Sequence, residues 1–163
     1  MKRWIFLTLE TYPPDVSNFL KQEKDRFANP VGYAITKGSE TLFDELTHGE
    51  NTANIISALD NIIRIRAVQD FTPSQAIDFI SFLKKAVREE LGVGGKKLNA
   101  EVEDEIIKDL VFFEAKIDKL VSVAFDVYAK CRDDINRIKM NEVRSKRSIE
   151  NRLEKIRISK REK

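Results

Sequence analysis

Apolar residues recur at helical spacing along most of the chain, and no stretch shows the strict alternation of a half-buried strand. Pro13-Pro14-Asp15 opens a helix that runs through Phe19 and Leu20 towards Phe27. Asn29-Pro30 opens the next, with Asn29 as N-cap and Pro30 at the first helical position. Val31, Ala34, Ile35, Leu42, Phe43 and Leu46 form its apolar face, and Gly49 stops it. A third helix begins at Asn51 and carries Ile55, Ile56, Leu59, Ile62, Ile63, Ile65 and Ala67. Thr72-Pro73-Ser74-Gln75 is a capping box with proline at the first helical position. The helix it starts buries Ala76, Ile77, Phe79, Ile80, Phe82, Leu83 and Val87 and ends at Gly92. A basic connector, Gly92 to Lys97, follows.

Beyond it neither glycine nor proline occurs, so the rest reads as one unbroken helix capped by Asn99. Acidic Glu101, Glu103, Asp104 and Glu105 suit its positive N-terminal dipole end. Ile106, Leu110, Phe113, Ile117, Leu120, Ala124, Val127 and Cys131 follow in steps of four and three, a heptad seam. Phe112, Val121, Phe125 and Tyr128 widen it. The seam fails after Cys131, where Asp134, Asn141 and Ser145 take core positions. The fold class is therefore all-α: a helical bundle with a long C-terminal helix.

Composition agrees, with 42% hydrophobic and 34% charged residues but only 6 Gly and 4 Pro in 163. The net charge of +2 hides an asymmetry. Residues 137–163 hold 11 Lys+Arg against 4 Asp+Glu, so residues 1–136 are acidic overall. The expected division is a helical domain over 1–136 and a basic helical tail over 137–163. No stretch approaches the roughly 18 apolar residues of a membrane helix, so no membrane insertion is expected. Met1 to Leu7 resembles a signal peptide briefly, but Glu10, Pro13 and Asp15 then intervene. With Cys131 alone, no internal disulfide forms and a cytoplasmic location is expected.

Enzyme chemistry finds little to stand on, and no catalytic residue is assigned. Cys131 falls on the apolar seam, and His48 beside Gly49 reads as a cation at a helix end. One Cys and one His make no zinc set, a haem on His48 is not expected, and no phosphate loop has the right spacing. No metal or cofactor is assigned.

Two segments are more specific. The first, from Glu23 to Gly32, contains Lys24, Asp25, Phe27 and Asn29. The second, from Ile62 to Ala76, contains Arg64, Arg66, Gln69 and Asp70. An arginine in an apolar helix face requires a partner, and Asp25 or Asp70 can serve. Either these residues form an internal ion-pair network, or they line a polar ligand pocket or a partner-facing patch.

The strings Asp-x-Phe-x-Asn-Pro-Val-Gly, from Asp25, and Arg-Ala-Val-Gln-Asp-Phe-x-Pro-Ser-x-Ala, from Arg66, resemble the N-terminal domain of RsbRD-type RsbT co-antagonist proteins. These are sensory modules of bacterial stressosomes, and the resemblance runs from about Trp4 to Tyr128. It implies a globin-like, haem-free, dimeric domain that feeds a C-terminal helix into an output domain. No output domain follows the helix here, so a stand-alone signalling or adaptor module is expected. It would form a homodimer through Phe112, Phe113, Val121, Phe125 and Tyr128, and would bind a protein partner. The alternative is a nucleic-acid or acidic-partner binder acting through the basic tail, which has charge but few aromatic residues for base stacking.

Overall fold

The computed structural model describes residues 1–49, 51–69, 71–92 and 100–161, with the side chains of 104–153 in the last helix. Asp70 and Asn99, and most of the basic connector, lie outside the described residues. The elements are α1 (Lys2–Leu9), α2 (Pro14–Gln22), α3 (Pro30–Asp44), a π-helical turn (Glu45–Gly49), α4 (Thr52–Val68), α5 (Pro73–Ile77), a 3₁₀ turn (Asp78–Ile80), α6 (Ser81–Leu91) and α7 (Ala100–Arg161). No strand occurs among the described residues, and the all-helical class stands.

The caps fall where side-chain chemistry puts them. Asn29 Oδ1 accepts from Gly32 N at 2.8 Å, Asn51 accepts from Ala53 and Asn54, and Thr72 with Gln75 completes the reciprocal box. Each such cap contributes about 1 kcal/mol. Gly92 ends α6 with φ 66°, a left-handed conformation that a side chain disfavours.

Three boundaries differ from the expectation. α1 occupies the stretch that resembled a signal peptide, and it buries Trp4, Thr8 and Leu9. α2 ends at Gln22 rather than running towards Phe27. There the Asp25 carboxylate accepts from Phe27 N (2.7 Å) and Ala28 N (3.1 Å), a local turn that competes with the helix ladder. The helix begun at Pro73 is broken by the 3₁₀ turn, whose Phe79 carbonyl accepts a hydrogen bond from Trp4 Nε1 at 2.5 Å.

Two compact units result, Met1–Tyr128 and Ala129–Lys163. In the first, α3 lies against α4, and α1 packs on α2, α3 and α6. Gly38 lets α3 and α4 approach closely, since a Cβ there would stand 2.8 Å from Ile62 Cδ1. The core contains Trp4, Ile35, Leu42, Leu59, Ile62, Phe79 and Leu83, joined by Leu110, Ile117, Leu120 and Ala124 of α7. Ion pairs tie α6 to its neighbours: Arg3–Glu89 on one side, and Arg88–Glu114 and Lys84–Asp118 to α7 on the other. In the second unit Cys131 is buried, and every side chain from 136 to 153 is exposed.

Candidate functional site

The first specific segment is a connection held by its own polar groups. Asn29 is buried, and its Nδ2 donates to the carbonyls of Leu20 and Glu23, both at 3.0 Å. One side chain thus joins the end of α2 to the start of α3. Gly32 is required beside it, because a Cβ would run into the Asn29 side chain. Asp25 is engaged in the turn, and exposed Lys24 donates to the Lys21 carbonyl. The fixed turn displays Phe27, which is 84% exposed. The Arg26 guanidinium stands 5.1 Å from the Phe27 ring and 5.6 Å from that of Tyr33.

In the second segment the two arginines part company. Arg64 is exposed and grips Asp60 one turn earlier, with Nη2 to Oδ1 at 2.8 Å. It also lines an open groove of about 530 Å³ between α3 and α4, with Tyr33, Lys37, Thr41 and Asn61. Arg66 is fully buried. Its guanidinium carbon lies 4.2 Å from the centre of the Phe71 ring, 5.5 Å from Tyr12 and 5.9 Å from Phe79. Nη2 donates to the Gln75 carbonyl at 2.8 Å, while Nε and Nη1 make no hydrogen bond of ordinary geometry among the described residues. Burial lowers the pKa of Arg66 and raises that of the Tyr12 phenol, and their proximity offsets part of each shift. Arginine still stays charged at neutral pH. Asp25 is not its partner, and Asp70 lies outside the described residues. Gln69 is exposed and ends α4. The seven described candidates do not converge on one pocket.

The aromatic cage was not read from the sequence. Tyr12 lies between two helices and far from Arg66 along the chain, so no periodicity links them. Phe71 and Phe79 stood in plain view as apolar residues, but their cation–π role needs the fold.

Along α7 the five interface candidates also separate. Tyr128 is buried and Phe113 is half-buried with its ring against Phe43, centroids 6.5 Å apart. Phe112 and Phe125 are 66% and 54% exposed. At 3.6 residues per turn they point about 140° apart. Phe125 shares its flank with Ile107, Val111 and half-buried Val121, whereas Phe112 shares the other with Lys116, Lys119 and Val123. On that second flank lies a groove of about 260 Å³ lined by Leu46, Ile55, Lys116, Lys119, Leu120 and Val123, among others.

Reactive chemistry is sparse. His48 is exposed, with Nδ1 2.7 Å from Thr47 Oγ1. Among the described residues no three His, Cys, Asp or Glu side chains are placed to hold a metal, and no helix is long and apolar enough to cross a membrane.

These features define an all-helical module with exposed apolar side chains on its last helix. Residues 2–143 match the family model described as the RsbT co-antagonist protein rsbRD N-terminal domain, and the chain belongs to that family of signalling domains. No match was found among curated proteins or among solved structures.

Proposed function

We propose that this protein is a non-enzymatic sensory or adaptor domain that acts as a homodimer and binds a protein partner through its helices. The observation that carries this reading is the outer surface of α7. Its inner seam is already packed, yet Val111 is 61%, Phe112 66% and Phe125 54% exposed. Large apolar side chains left uncovered around a filled core mark an interface. The flank of Ile107, Val111 and Phe125 suits a second copy. The register set by Arg88–Glu114 and Lys84–Asp118 puts partly exposed Leu91 level with Val111, which widens the patch.

Light scattering at micromolar concentration tests the dimer. Val111→Glu with Phe125→Glu should give a monomer that keeps the parent helical content, while Phe112→Glu alone should remain dimeric. A parent protein that is already monomeric would refute the reading.

A further inference from the structure

The second unit is a continuous stretch of α7 whose side chains are exposed from 136 to 153. Successive residues of a helix turn by about 100°, so Arg144, Arg147, Ser148, Asn151 and Arg152 fall within a sector of about 140°. These five line one shallow surface about 12 Å long. Each carries a hydrogen-bond donor. Arg137 is tied to Asp134 at 2.7 Å, whereas Arg144, Arg147 and Arg152 make no ion pair or hydrogen bond among the described residues. Glu142, Ile149, Glu150 and Leu153 all point more than about 120° from the centre of the face, so it holds neither a carboxylate nor an apolar side chain between Arg144 and Arg152.

The chemistry of this face selects its ligand. Three guanidinium groups with a hydroxyl and an amide between them match phosphate oxygens, which accept hydrogen bonds from these side chains. A protein helix would find no apolar anchor there, since Ile149 points away. A lipid surface would need the opposite side of the helix. On that side Glu142 and Ser145 separate Ile138 from Ile149 and Leu153, and no aromatic residue occurs from 137 to 163. The same lack of aromatics removes the stacking on which single strands depend. Among duplexes, the B-form major groove, about 12 Å wide, admits a helix, whereas the A-form groove of RNA is deep and narrow.

We infer that the Arg144–Arg147–Arg152 face binds the phosphate backbone of double-stranded DNA, with Ser148 and Asn151 as neutral donors and the helix lying along the major groove. The contact is independent of base sequence, because backbone charge supplies it. This function goes beyond self-association and protein binding, and it stands on the tail alone.

The probe is a fluorescein-labelled DNA duplex of mixed sequence and about 20 base pairs, two turns long. Its anisotropy is followed against the whole chain at low and then rising salt. Binding should be saturable, and the logarithm of the association constant should fall linearly with the logarithm of salt concentration. Arg144→Gln, Arg147→Gln and Arg152→Gln together should weaken binding at least about tenfold and make that slope shallower by about 2–3. Lys139→Gln with Lys146→Gln, on the far side of the helix, should cost less than about threefold. Deleting 141–163 should abolish binding with the melting transition kept, which separates loss of the face from loss of the fold. An unlabelled single strand and an RNA duplex of the same sequence should compete at least about threefold less well than unlabelled DNA duplex. Absence of saturable binding, equal losses in the arginine and lysine variants, or equal competition by RNA, by a single strand or by polyglutamate of the same charge would overturn the proposal. So would phosphatidylserine vesicles that take up the protein in preference to the duplex, since the ligand would then be a membrane.

Discussion

Arg66 shows how a single residue can be costly and still fit. Burying a cation is unfavourable unless something answers its charge. Here three aromatic faces and one carbonyl surround it among the described residues. Arg66→Ala should lose about 2–5 kcal/mol, because it empties the cage and leaves the Gln75 carbonyl unpaired. Arg66→Met should lose less, since an apolar residue of similar length fills the space with no charge to desolvate. Urea unfolding of the two variants gives the comparison, and equal losses would mean that the charge itself matters. At Glu45 the prediction concerns pH. Hydrogen bonds from Asn54 and Asn51 lower its folded pKa, so the unfolded state binds the proton more tightly. Its contribution is present above the unfolded pKa and is lost as pH falls through the folded one. Glu89 and Glu114, lowered mainly by hydrogen bonds from Arg3 and Arg88, act in the same direction. The melting temperature should therefore fall on acidification below about pH 5, and less steeply in Glu45→Gln.

At the scale of elements, side-chain caps set the starts and close packing sets the spacing. α3 and α4 depend on Gly38, where a Cβ would press on the Ile62 side chain. Gly38→Val should cost roughly 1–3 kcal/mol through overpacking, despite the better helix propensity of any residue over glycine. Thermal unfolding checks this, and an unchanged midpoint would mean that Ile62 simply moves aside. The tail behaves differently. Its exposed run from 136 to 153 includes Ile138, Met140, Val143, Ile149 and Leu153. Among the described residues, 141–153 contribute no core side chain, so deleting 141–163 should leave the melting transition nearly unchanged. A large loss of stability would mean that the tail is covered in solution, as it would be in an assembly.

For the whole molecule, α7 is where packing and exposure meet: one face completes the core of the first unit, while Val111, Phe112 and Phe125 on its flanks stay exposed. The proposed self-association is therefore read at Val111 and Phe125.

Local chemistry was legible in the sequence, since caps and heptads are short-range signals. Asn29, Asn51, Thr72 and Gly92 mark element ends because each acts within about one helical turn. The seam from Ile106 to Cys131 appears in the order of residues because a helix repeats its face every 3.6 positions. The strings beginning at Asp25 and Arg66 likewise point to the family without any coordinates. What only the tertiary structure decided is how distant segments meet. Tyr12 reaches Arg66 across two intervening helices, and Leu46 with Ile55 joins α7 to form the groove. The break at Asp78–Ile80, where the Phe79 carbonyl meets Trp4, also depends on a residue far away in the chain. The separation of Phe112 from Phe125 needed only helical geometry. Which of their neighbours stays exposed depended on where α4 and α6 pack, and packing is a property of the folded chain.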